Sequence, residues 1–292
     1  MTLISKSWNP TPFGVDSIQV RDHLNGFDSN YRNLIFDMLT GTVYTEYLVD
    51  DKVLNNYPKL DIKFDSELMI RNNFLLKHAV LATQPPPKQI KHFLCSFNRS
   101  FHRSRKLLVD RLLHEGWFDV NYCSCGFAET KIGFDEPNNW TGCNIEVQRN
   151  YAALNPLIQD CFVQIVGETV GESYVPFPTE KFLFPVANKA LWVAYAQPGW
   201  YDWVEKHMGF QKFDCFDYSF DSILDPQQRL DALINMLKPF QSADWASIYK
   251  QQKHTLEYNF ELLTSRTFIK NLRKFDQANG NTKIKHPVGL AK

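Results

Sequence analysis

The sequence offers no apolar run approaching the roughly 18 residues that a membrane-crossing helix needs. Its opening stretch, MTLISKSWNPTPFG, has polar residues and prolines where a secretory signal would place an apolar core. A cytoplasmic protein with no membrane partner is therefore expected, in the host cytoplasm if its source is viral. Cysteine is sparse: six thiols in 292 residues cannot form the staple framework of a small secreted domain. Cys123 and Cys125 make a C-x-C pair with Cys143 beyond, a pattern that invites zinc. No second close pair and no well-spaced histidine completes a tetrahedral set, so no metal and mostly buried, reduced thiols are expected. Neither charge dominates, because 32 basic residues balance 32 acidic ones, and no global field recruits nucleic acid or a membrane. The chain also lacks a P-loop and a G-x-G-x-x-G turn, which argues against ordinary ATPases and dehydrogenases.

What remains is a water-soluble composition, 44% hydrophobic and 22% charged, with enough aromatic residues, 23 of them Phe, for substantial cores. One break stands out at Pro85-Pro86-Pro87-Lys88, where three prolines hold a stiff, extended backbone. It separates a small N-terminal unit, 1–87, from the remainder.

That remainder alternates strand and helix signals. Strands are expected at 90–97 (IKHFLCSF), 161–166 (CFVQIV) and 191–196 (LWVAYA), with a short one at 210–213. A helix is expected over 103–114, where Leu108 and Leu112, and Val109 and Leu113, recur at a spacing of four, and Gly116 stops it. Further helices are expected after Thr179 as N-cap, over 200–208 before Gly209, and from Pro226 to Leu237. Such alternation predicts a parallel, doubly wound sheet over 88–240, with ligands beyond the carboxyl ends of its strands. The segment 241–292 reads as a C-terminal helix and tail.

Three stretches suit an anionic ligand. Asn98-Arg99-Ser100-Phe101-His102-Arg103 lies between a strand and a helix start, where unpaired N–H groups attract phosphate. Arg103 or Arg105 can add bidentate contacts to a diphosphate there, and Arg99 and Arg103 are the favoured site residues. Arg105 and Lys106, deeper in the helix, read as solvated charges. Glu168, after the strand CFVQIVG, can accept hydrogen bonds from ribose hydroxyls, or be a loop acid facing water. Thr179-Glu180-Lys181 would open a helix, Lys181 offering a point charge to phosphate and Glu180 a partner for hydroxyls. Trp200 and Trp203 read as a buried helix face, and Asp217 to Asp221 as turn acids.

The segment FVQIVGETVGESYVPFPTEKFLFP resembles the donor-binding stretch of the α1,3-fucosyltransferase family and related bacterial and viral glycosyltransferases. The likeness consists of a strand, a Glu, a short loop, then aromatic-x-Thr-Glu-Lys entering a helix. FLCSFNRSFHRSRKLL is similar to that family's earlier strand, loop and arginine-bearing helix start, and GFQKFDCFDYSFDSILDPQQRLDALINML to a following region in phage-type members. Thr169 stands where the family usually has Asn, and Phe177 where it has Tyr. The resemblance spans about 88–240 and does not extend to the N-terminal unit.

It implies an α/β fold of GT-B type: two Rossmann-like units with parallel sheets, the N-terminal one small, plus a C-terminal helical segment. It further implies metal-independent, inverting transfer of a sugar from a nucleoside diphosphate to a hydroxyl, with no cofactor. Arg99, Arg103, Glu168, Thr179, Glu180 and Lys181 would bind the donor. A carboxylate of the N-terminal unit, Glu46 or Asp37 with Asp65 and Glu67 behind them, would take the acceptor's proton. The acceptor would be a glycan or small hydroxyl compound; DNA carrying a hydroxymethylated base, reached by base flipping, is an alternative. A non-catalytic nucleotide-binding module and a purely structural protein are the remaining readings.

Overall fold

The computed structural model describes residues 2–4, 34–37, 42–45, 61–64, 88–98, 102–118, 120–126, 132–133, 154–168, 176 and 178–278. Four short strands, β1 (Thr2–Ile4), β2 (Leu34–Asp37), β3 (Thr42–Thr45) and β4 (Asp61–Phe64), form one sheet in that order. β1 and β3 flank β2 antiparallel, and β4 joins β3 parallel. The parallel N-terminal sheet expected from the sequence is thus corrected to a mixed one. The reason is chain length: four residues, 38–41, join β2 to β3, enough for a hairpin and far too few for a parallel crossover.

The larger part of the described chain surrounds a second sheet of β5 (His92–Asn98), β6 (Tyr122–Cys125), β7 (Ile132–Gly133), β8 (Cys161–Gly167) and β9 (Leu191–Tyr195). Their spatial order is β7-β6-β5-β8-β9; β6, β5, β8 and β9 run parallel and β7 is an antiparallel edge. The fold of this region is therefore α/β, with the doubly wound sheet that the alternation of signals predicts. Every residue of β8 and β9 is buried, which is why they read as unbroken apolar runs: helices cover both faces of a parallel sheet.

The chain leaves β5 through helix α1 (Arg103–His114) to β6 on one side, and later returns to β8 on the other. β5 and β8 thus flank the point where the winding reverses. α1 buries Leu108, Val109 and Leu112, and Gly116 ends it at φ 69°. The cover continues with α2 (Leu183–Ala187), α3 (Trp200–Met208), α4 (Pro226–Leu237), α5 (Trp245–Gln251), α6 (Lys253–Thr264) and α7 (Thr267–Ala278). Asp225 caps α4 by accepting from the Gln228 amide at 2.8 Å, with Pro226 in the first turn. α3 packs on α7, and α4 on α1, where Arg111 pairs with Asp231 at 2.9 Å. Trp200 and Trp203 are buried, as a helix face facing the core should be. No helix among the described residues is long and apolar enough to cross a membrane.

Residues 210–213, expected as a strand, are irregular. Side chains take the backbone groups that a ladder would use. Asn259 accepts from the Gln211 amide at 2.8 Å and donates to its carbonyl at 2.9 Å, while the Tyr218 hydroxyl accepts from Phe213 at 3.2 Å.

Asp221 fixes the start of α3. It is 6% exposed, and its carboxylate accepts from the Tyr201 amide at 3.1 Å. Burial pushes its carboxyl from 3.8 up to about 6, so between those values the folded chain holds a proton that the unfolded chain has released. This group's effect on stability is therefore smallest below pH 3.8, and the penalty for its charge is complete above pH 6. Asp221→Asn removes that penalty. Urea unfolding at pH 4 and pH 7 would show the variant gaining roughly 2 kcal/mol relative to wild type at the higher pH; an unchanged difference would contradict the assignment.

Candidate functional site

The carboxyl ends of β5 and β8 meet where the winding reverses, the place at which open α/β sheets hold ligands. Gly167 ends β8 there because nothing larger fits. A Cβ on it would lie 2.9 Å from Asn98 Oδ1, 3.3 Å from Arg105 Cγ and 3.3 Å from Leu108 Cδ2. Arg105 uses this close approach: its Nε donates to the Gly167 carbonyl at 3.2 Å, tying the first turn of α1 to the end of β8. Arg105 is 5% exposed, which corrects the expectation of a solvated charge; the parallel sheet brings α1 down over β8 and seals the guanidinium in. Lys106, by contrast, is exposed and pairs with Asp110 one turn on.

Glu168 follows Gly167 and is fully buried. Its amide donates to the Tyr195 carbonyl at 3.1 Å, extending the pairing with β9. Its carboxylate accepts from the Thr179 amide at 3.0 Å and from the Thr179 hydroxyl at 2.5 Å. The Thr179 hydroxyl in turn accepts from Lys181 Nζ at 3.0 Å. A carboxylate, a hydroxyl and an ammonium thus form a relay across the loop between β8 and α2. Burial pushes the Glu168 carboxyl up; the Lys181 charge, then the two Thr179 donors, oppose the shift.

The relay changes two expectations. Glu168 is not a loop acid facing water: it is fully buried, and both carboxylate oxygens accept from Thr179. Thr179 precedes a 3₁₀ turn, Glu180–Phe182, that leads into α2, but makes no side-chain capping bond, because its hydroxyl already serves Glu168. Glu180 and Lys181 do occupy the first turn, half-buried, with Lys181 Nζ 3.8 Å from Glu180 Oε1. An ammonium has three N–H donors, one of which goes to Thr179.

Arg103 is the first residue of α1 and stands on the same edge of the sheet, with His102 preceding it in extended conformation. The structure therefore gathers Arg103, Glu168, Thr179, Glu180 and Lys181 on one edge. Arg99, Glu46, Asp65 and Glu67 lie outside the described residues. Asp37 is the last residue of β2, paired in register with Thr42 of β3. The structure adds Asn98, Arg105 and Gly167 as the parts that hold this edge together. Asn98 and Arg105 lay in the first anion-suited stretch of the sequence, but nothing local showed that they close over Gly167.

Other candidates resolve into structure. Asp217 accepts from the Ser219 amide at 2.9 Å and its hydroxyl at 3.0 Å, and Asp221 holds α3, so these acids shape a turn. The thiols of Cys95, Cys123, Cys125 and Cys161 are free and buried, and burial pushes that of Cys123 far up. Cys143 lies outside the described residues, and among these no group of His, Cys, Asp or Glu is arranged to hold a metal.

Gly167→Ala is expected to cost about 1–3 kcal/mol, because the methyl group meets a buried amide and a buried guanidinium stem. Adding Asn98→Ala removes the closest clash, so the double variant should recover part of that loss in urea unfolding. Strict additivity of the two would disprove the steric account. Compared with known proteins, the chain matches no family model, no curated protein and no solved structure.

Proposed function

We propose that the protein transfers a sugar from a nucleoside diphosphate donor to an acceptor hydroxyl, inverting the sugar carbon and using no metal. The observation that carries this reading is the relay from buried Glu168 through Thr179 to Lys181, at the carboxyl edge where the winding of the sheet reverses. It gives a physical purpose to the spacing between Glu168 and Thr179-Glu180-Lys181 on which the glycosyltransferase resemblance rests. A fixed cation at this edge suits a diphosphate, and α1 begins at the same edge with Arg103.

In this reaction the bond between the anomeric carbon and the diphosphate breaks as the acceptor oxygen attacks. Negative charge grows on the leaving diphosphate, where Lys181 and Arg103 oppose it. Charges held in place before the reaction cost no reorganisation during it, and Glu168 with Thr179 supplies that holding for Lys181. Glu180 accepts hydrogen bonds from donor hydroxyls. A carboxylate of the N-terminal unit, Glu46 or Asp37, takes the acceptor proton.

A panel of nucleotide sugars, screened with EDTA present for thermal shift and slow donor hydrolysis, tests the reading. One donor is expected to raise the melting temperature and to hydrolyse slowly. Lys181→Ala should weaken that donor at least tenfold, as loss of a charge-assisted contact worth about 1.5–3 kcal/mol requires. If no nucleotide sugar shifts the melting temperature, or if Lys181→Ala binds the donor as wild type does, the proposal fails.

A further inference from the structure

A cleft of about 770 Å³ opens at the opposite, amino-terminal edge of the same sheet. Lys88 and Ile90, leading into β5, and Asn188 and Lys189, leading into β9, form one side. Trp245 and Tyr249 of α5 and Leu256 of α6 stand among the residues of the other. Seven residues of β8 separate this edge from Glu168, about 20 Å at the rise of a strand. The cleft is therefore a different place from the donor edge.

Its charges are unevenly matched. Lys189 pairs with Glu257 at 2.6 Å, and Asp244 caps α5 by accepting from the Ser247 amide at 3.1 Å, so both acids of the cleft are engaged. Lys88 and Lys253 are in no ion pair among the described residues. Lys88 is half-buried; its ammonium donates to the Ile158 carbonyl at 2.8 Å and lies 5.2 Å over the Tyr249 ring. Burial lowers its pKa from 10.5 to about 8, although the Cys95 and Cys161 thiols and Asp160 below it pull the other way. Asp160 is already paired with Lys91 at 2.9 Å, so Lys88 is held by a carbonyl and an aromatic face with no carboxylate of its own in contact.

We propose that this cleft binds a small carboxylate with an apolar body, its anion on Lys88 and Lys253 and its body against Ile90, Trp245 and Leu256. A single negative charge fits better than a phosphate dianion, because Asp244 and Glu257 stand at the same cleft and repel added charge. The apolar walls call for more than a bare anion.

Calorimetric titration of the full chain with octanoate tests this, with octanol and inorganic phosphate as separate arms. Octanoate is expected to bind at pH 7 and about tenfold more weakly at pH 9, where Lys88 has lost its proton. Lys189, Lys253, Asp244 and Glu257 share the cleft with Lys88, and Cys95, Cys161 and Asp160 act on it from the sheet side. Lys88→Met should lower affinity at least tenfold, whereas Lys250→Met, an exposed residue of α5 outside the cleft, should leave it unchanged. A thermal melt of each variant confirms the fold. Octanol or phosphate binding as tightly as octanoate, or Lys88→Met binding octanoate as wild type does, would overturn the proposal.

Discussion

The pair of hydrogen bonds that Glu168 accepts from Thr179 is the constraint on which the candidate donor edge depends. A carboxylate with no exposed surface at the end of a central strand is costly in isolation, since burial opposes its charge. Two donors from one residue and the nearby Lys181 ammonium offset that cost and pin the start of the turn 180–182 to the sheet. Beneath it, Gly167 allows Asn98 and Arg105 to close over the strand end. The edge is built from the inside outward: glycine, then a buried acid, then a hydroxyl, then a half-buried cation.

The sheet's two ends differ in the same terms. At the carboxyl edge a buried negative charge is compensated by neighbours, and the cation beyond it is oriented by them. At the amino edge a half-buried positive charge, that of Lys88, has a carbonyl and a ring for company and sits in an open cleft. The first arrangement holds a positive charge steady at a fixed point. The second leaves a cation incompletely compensated. Both follow from a parallel sheet, whose strand ends collect loops from elements far apart in sequence.

Much of the second sheet was legible in the sequence because its signals are local. CFVQIVG and LWVAY are short apolar runs of strand length, and the leucines of α1 recur every four residues. Gly116 and Gly209 mark helix ends, where both adopt positive φ. The failures have non-local causes. Residues 210–213 look like a strand until Asn259, nearly 50 positions on, takes both backbone groups of Gln211. Arg105 looks solvated on its own helix, and only the packing of α1 over β8 buries it. The mixed N-terminal sheet depends on how four short strands pair, which composition does not encode. At the candidate donor edge the sequence pointed to Glu168 and Thr179-Glu180-Lys181 by their spacing, while the hydrogen bonds that link them belong to the folded structure.

The way side chains hold 210–214 has a kinetic corollary. Asn259 and, through the Asp214 amide at 3.1 Å, Gln252 fix this stretch from α6 and the turn before it. Contacts between residues nearly 40 and 50 positions apart form late, because the loop they close must first lose its freedom. The stretch after α3 therefore acquires its shape when the C-terminal helices arrive. In a chain emerging from synthesis, the region that packs against Trp192 through Phe213 would wait for Gln252 and Asn259, and the sheet would stay open on that side until then.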